Sequence, residues 1–148
     1  MRISTKGDYA TRALQDLALH YDKGPVPIEA VARRQTLPVR YLEQLLLTLK
    51  RAGFLGSKRG VNGGYYLAKS PREITLGQIL RAVDGPIVPI FCVDGSPREH
   101  CDQEQACVLR DVWSDVRDAV SAIVDHTTLE DICERIRTKT KERVNYQI

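Results

Sequence analysis

Apolar residues recur at helical spacing from the start of the chain. Tyr9, Ala10, Ala13, Leu14, Leu17, Ala18 and Tyr21 share one stripe and predict a helix over residues 5–22. Ser4 or Thr5 caps it, and Lys23-Gly24-Pro25 ends it. Pro27 sits where a second helix begins, with Ile28, Val31 and Ala32 as a short apolar face. Thr36-Leu37 breaks that run. Pro38 opens a third helix, with Leu42, Leu45, Leu46 and Leu49 on one face and Gly53 as its stop. Two short helices joined by a tight turn have the helix-turn-helix layout, which any helical hairpin shares. The period then changes. Leu55-Gly56-Ser57-Lys58 and Tyr65-Tyr66-Leu67-Ala68 read as short strands, and Arg59-Gly60-Val61-Asn62-Gly63-Gly64 reads as the hairpin tip between them. A helix-turn-helix followed at once by a basic hairpin is a winged helix.

Thr75 caps the next helix, which runs through Asp84 with Leu76, Ile79, Leu80 and Val83 apolar. The longest helical pattern spans Gln105 to Asp125, along a seam of Leu109, Val112, Trp113, Val116, Val120, Ile123 and Val124. A winged helix of this size has little core to spare for such a face. A second copy of the chain is the expected cover, and packing on the chain's own first helix is the alternative. His126-Thr127-Thr128 breaks the seam. Thr127 with Glu130, or Thr128 with Asp131, matches a capping box ahead of Leu129, Ile132, Cys133 and Ile136. The expected fold is mainly α with a small β-hairpin wing: a winged helix-turn-helix plus a long dimerisation helix. Its expected parts are the DNA-binding domain at 1–84, a cysteine-rich loop at 85–108, the dimerisation helix with a short C-terminal helix at 109–137, and a flexible tail at 138–148.

Charge adds a direction. Residues 1–84 hold fourteen Lys/Arg and seven Asp/Glu, a net of +7, and residues 85–148 hold eight and twelve, a net of −4. The basic half suits a polyanion such as DNA. No apolar run approaches the ~18 residues of a membrane span, and the N-terminus lacks a signal-peptide core, so a cytoplasmic protein is expected. In that compartment clustered cysteines point to metal binding or redox sensing rather than structural disulfides.

Three of the four cysteines, Cys92, Cys101 and Cys107, lie within Phe91–Val108, a stretch carrying Gly95, Pro97 and many charges. Three thiols on one loop can converge on one metal centre and leave it one ligand short. His100 and Glu104 are nearby candidates for the gap, and water is another. Zinc suits three cysteines plus a carboxylate or histidine as well as an iron–sulfur cluster does, and a metal-free thiol switch is a further option. The absence of any C-x-x-C weakens zinc-ribbon and thioredoxin-like readings. Cys133, on an apolar face, is expected to be inert core. His20 and His126 are expected at helix ends, near C-terminal carbonyls. No substrate pocket or cofactor fingerprint is visible, so a redox enzyme or electron carrier is disfavoured. The wing glycines do not form a phosphate-binding loop, because the Lys-Ser/Thr ending is missing.

On the DNA side, Glu43 and Gln44 are best placed to read base edges: Gln can pair with adenine, and Glu can accept from cytosine. Arg40, Tyr41, Lys50, Lys58 and Arg59 are expected to hold phosphates. Arg2, Ser4 and Thr5 at the N-terminus and Gly60, Gly63 and Gly64 of the wing complete the candidate contacts.

Several stretches fall in step with one family: Arg2-Ile3-Ser4-Thr5-Lys6-Gly7-Asp8-Tyr9-Ala10, Tyr41-Leu42-Glu43-Gln44-Leu45, Arg59-Gly60-Val61-Asn62-Gly63-Gly64-Tyr65-Tyr66-Leu67, Ile74-Thr75-Leu76-Gly77 and Thr128-Leu129-Glu130-Asp131-Ile132. Over about residues 1–137 the chain closely resembles the Rrf-two family of bacterial winged-helix regulators. The resemblance implies a homodimeric, DNA-binding transcription regulator acting on a palindromic operator, and not an enzyme. Many members hold an iron–sulfur cluster, of two or four irons, on three cysteines where Cys92, Cys101 and Cys107 stand. Members without these cysteines sense a protein partner instead, as in the control of cysteine metabolism. The spacing here is eight residues and then five, whereas IscR-like members usually have five and five. Those members place a histidine where Arg110 lies, and Arg110 stays protonated and cannot ligate. NsrR-like members instead use an aspartate from the other subunit, and Asp8 occupies that place.

Overall fold

Ser4 starts the first helix. Its hydroxyl oxygen accepts the Gly7 N–H at 2.9 Å, and its O–H donates to the Asp84 carboxylate at 2.6 Å. The computed structural model describes residues 2–95, 101–103 and 105–147. Helix α1 spans Thr5–Leu19, and a short 3-10 turn at Tyr21–Lys23 replaces the last turn expected of it. His20 closes the helix, its ring nitrogen 2.7 Å from the Asp16 carbonyl oxygen. Helices α2 (Ile28–Gln35) and α3 (Val39–Arg51) each follow a proline at the N-cap, where the missing N–H costs nothing. Thr36 turns the chain between them in the left-handed region, at φ 56°.

Strands β1 (Leu55–Lys58) and β2 (Gly64–Leu67) pair antiparallel, with Leu55 opposite Leu67 and Lys58 opposite Gly64. Val26, just ahead of α2, adds a bridge to Tyr65 through two backbone bonds of 2.8 and 2.9 Å. This bridge pins the hairpin to the helix-turn-helix. Three helices follow: α4 (Leu76–Asp84), α5 (Val108–Val124) and α6 (Leu129–Tyr146).

Thr75 and Thr128 each close a full capping box, with Gln78 and Asp131 respectively, so the second of the two expected pairings at the start of α6 is the one that forms. The two caps lie back to back. Leu76 N–H donates to the Thr127 carbonyl at 2.8 Å, and Leu129 N–H donates to the Ile74 carbonyl at 2.9 Å. This contact sends Leu129 and Cys133 into the cluster formed by Leu14, Leu17, Leu46, Leu49, Ile74 and Ile79. The first turns of α6 thus share a core with the winged-helix half. Each large aliphatic buried there contributes about 1.5–3 kcal/mol.

Among the described residues, one charge lies inside. Asp16 of α1 is buried, and Arg34 of α2 grips it with two bonds of 2.9 and 2.6 Å while Gln35 adds a third at 3.1 Å. Two sequence expectations need correction. The long helix begins at Val108 rather than Gln105, with Cys107 as its N-cap. The stretch from 138 onward, expected as a flexible tail, continues α6 to Tyr146. That segment is rich in Lys, Arg and Glu, which favour helix, and Thr138 and Thr140 donate to the Glu134 and Ile136 carbonyls. Packing of α5 against the chain's first helix also fails to appear as a main contact: α5 rests on α4 and on the turn at Phe91–Val93, while α1 is covered by α2, α3, α4 and α6.

Candidate nucleic-acid interface and cysteine segment

Helix α3 divides cleanly. Leu42, Leu45, Leu46 and Leu49 are buried, and Arg40, Tyr41, Glu43, Gln44 and Lys50 are exposed. Tyr41 stands edge-on to Tyr9 of α1, ring centres 5.7 Å apart, which fixes its ring beside the start of α3. Lys50 donates to the Ser57 hydroxyl at 2.6 Å and ties the end of α3 to β1. Among the described residues, the side chains of Arg40, Glu43, Gln44, Lys58 and Arg59 enter no side-chain bond or ion pair and face solvent.

The wing is shaped by its glycines. A Cβ on Gly63 would strike the Lys58 carbonyl, and one on Gly64 would strike the Val26 carbonyl. Gly64 also sits at φ 151° and Gly60 at φ 108°. Gly63 and Gly64 are thus set by backbone approach and Gly60 by its positive φ alone, and the tip they shape carries Lys58, Arg59 and the fully exposed Val61 outward. At the N-terminus Arg2 and Thr5 are exposed, whereas Ser4 is already engaged with Gly7 and Asp84. Lys6 adds an ion pair to Asp84 at 4.0 Å.

Cys92 lies in the turn Phe91–Val93, Cys101 follows in irregular chain, and Cys107 caps α5. All three are half-buried and unpaired, so none is held in a disulfide. As donors, three free thiols suit an iron–sulfur cluster or zinc. The geometry does not gather them: among the described residues no three His, Cys, Asp or Glu side chains stand together as a metal site. His100 and Glu104, two rival ligands, lie outside the described residues. Asp8, in the first turn of α1, is half-exposed and paired with Arg12 at 3.1 Å. Cys133 is fully buried, and burial pushes its thiol up from its ordinary value.

Two ties around this segment carried no sequence signal, because they join distant stretches. Arg81 of α4 grips Asp125, the C-cap of α5, and reaches Ser121 at 3.4 Å. Arg117 of α5 donates to the Val93 carbonyl at 3.0 Å, beside Cys92. Between them is an open cleft of about 400 Å³, lined by Arg81, Pro86, Val88, Asp94, Arg117 and Ser121. Among the described residues, no helix is long and apolar enough to cross a membrane.

Residues 3–135 match the Rrf2 family, described as iron-dependent transcriptional regulator. The HTH-type transcriptional regulator CymR of Bacillus subtilis is 40% identical, over 89% of this chain and 89% of its own length. The HTH-type transcriptional regulator IscR of Pectobacterium carotovorum is 37% identical, over 89% of this chain and 79% of its own. Among solved structures, B. subtilis CymR superposes with a TM-score of 0.76 at 37% identity, covering 91% of this chain and 98% of that one. The T. potens IscR structure gives 0.74 at 36%, covering 92% and 88%. These relatives are transcription regulators and not enzymes. With a winged helix in place and the match running from the first helix into the last, the chain belongs to the Rrf2 family of transcription regulators.

Proposed function

We propose that this regulator binds a palindromic operator as a homodimer, and that an iron–sulfur cluster on Cys92, Cys101 and Cys107 controls its affinity or site choice. The observation that carries the reading is one juxtaposition. An unpaired polar face on α3 and a basic wing occur in the same chain as three free thiols on the segment joining α4 to α5. The dimer part rests on α5, where Val108 is 75% exposed, Ile123 68% and Leu109 63%. A second copy covers such a seam by two-fold pairing.

When bound, an iron–sulfur cluster supplies a centre sensitive to redox state, iron supply or nitric oxide. The chain's own residues supply the linkage. Cys107 is the N-cap of α5, and Cys92 sits on a turn that Arg117 fastens to the same helix. Both thiols are therefore attached to the helix that sets dimer geometry, and the spacing of two recognition helices sets half-site fit. Asp8 of the partner subunit is the proposed fourth ligand, released from Arg12 to reach it. On DNA, Glu43 and Gln44 read bases, and Arg40, Tyr41, Lys50, Lys58 and Arg59 with the N-terminal residues Arg2, Ser4 and Thr5 hold the backbone.

Anaerobic purification followed by absorption and Mössbauer spectroscopy tests the cofactor. A coloured protein that loses its spectrum in Cys101→Ala, and changes it in Asp8→Ala, is expected. Colourless protein from iron-replete cells carrying one zinc per chain would replace the cluster with zinc. The similarity to CymR, the global cysteine regulator of B. subtilis, favours a second reading. There the chain senses a protein partner, and a Cys101→Ala protein with unchanged DNA control would select that reading.

A further inference from the structure

Resting on the DNA-binding reading, we infer that Leu47 reads the 5-methyl group of a thymine in the major groove. The buried leucines of α3, at 42, 45, 46 and 49, define the face turned to the core. At about 100° per residue, the direction opposite that face is shared by Arg40, Gln44, Leu47 and Arg51, with Glu43 at its edge. Leu47 falls between Glu43 and Gln44 around the helix and one turn further along it. Leu47 is 45% exposed and lies outside the hydrophobic cluster. Its place is what matters, since a lone exposed leucine elsewhere would mean little.

The other large apolar side chains exposed on this helix lie elsewhere. Tyr41 stands against Tyr9, and Val39 opens the helix toward the side of Leu46. Leu47 is thus an aliphatic side chain set in the outward stripe where base-reading residues belong. In the major groove the thymine methyl is the one apolar group a base pair presents, and an aliphatic side chain is the complement to it. A cytosine or an unmethylated pyrimidine at that step leaves Leu47 facing only polar edges.

The full chain is used to select duplexes from a random pool, and each thymine of the winner is replaced singly by uracil, which removes the methyl alone. Wild-type protein is expected to bind about fourfold more weakly at one position per half-site, the size of one buried methyl group. Leu47→Ala is expected to bind the parent duplex more weakly, with an unchanged salt slope and no response to uracil at that position. Putting 5-methylcytosine in place of cytosine at the same step should recover wild-type binding relative to cytosine. Wild-type indifference to uracil at every position, or an equal uracil penalty in Leu47→Ala, overturns the inference while leaving DNA binding intact. No enriched duplex at all overturns the DNA-binding reading and this inference with it.

Discussion

Arg81 and Asp125 meet twice, at 2.5 and 3.1 Å, and tie the last turn of α4 to the end of α5. Both side chains are 39% exposed, so water screens the pair. Gly77 makes room for it: a Cβ there would strike the Asp125 carboxylate. A double-mutant cycle with Arg81→Ala and Asp125→Ala, read by urea unfolding, should give a coupling of about 0.5–1 kcal/mol. Gly77→Ala should fail to yield the helix gain of about 1 kcal/mol that the same change brings on an open helix surface.

Acid should weaken the protein through carboxylates that their partners hold low. Two of them lie at the ends where α4, α5 and α6 meet, and a third, Asp118, lies beside Arg117 on the surface. Hydrogen bonds from Arg81 hold Asp125 below the usual carboxylate range, and the Thr128 N–H and hydroxyl do the same for Asp131. A carboxyl whose folded value is lowered gives its full stabilisation above its unfolded value, about 3.9. That stabilisation fades as pH falls below there. Unfolding midpoints measured from pH 7 to pH 3 should drop at the acid end, and Thr128→Ala and Arg81→Ala should each flatten the drop.

The wing depends on Gly64. Its φ of 151° is rarely open to an L side chain, and a Cβ would press on the Val26 carbonyl. Gly64→Ala should destabilise by about 1–3 kcal/mol. It should also break the Val26–Tyr65 bridge and weaken duplex binding more than its stability loss explains, because Lys58 and Arg59 lose their placement. Thermal unfolding together with fluorescence anisotropy separates the two effects.

The four cysteines should divide by reactivity. Cys92, Cys101 and Cys107 are half-buried and Cys133 is fully buried, with its thiol pushed up by desolvation. In metal-free native protein at neutral pH, iodoacetamide should label three sites, and the fourth should react only once the protein unfolds. Mass spectrometry of digested protein checks this, and rapid native labelling of Cys133 would contradict its place in the core.

The helices and the wing were legible because their apolar positions repeat at clear periods and most starts carry a cap or a proline; α5, which opens at Cys107 with neither, is the one whose start was misplaced. The end of α6 was not, since a helix polar on every side has no period to read. Asp16 was half legible. It sits at the edge of the apolar stripe of α1, on the side of Tyr9, where a charge can be either solvated or buried, and nothing in the chain names Arg34 as its partner. The cysteines show the opposite limit. Closeness in sequence marks Cys92, Cys101 and Cys107 as a set, yet it does not bring their sulfurs to one point. The Arg81–Asp125 and Arg117–Val93 ties join residues that no local pattern connects.

The back-to-back threonine caps have a consequence for synthesis. Leu129 and Cys133 complete the core on which α1 and α3 are packed. On the ribosome, the N-terminal half emerges first and would ordinarily settle first. Here it waits with a gap in its interior until residues near 133 have left the tunnel. By then the cysteine segment has already been made. The order of translation therefore brings the cysteine segment into being before the core of the winged-helix half is complete.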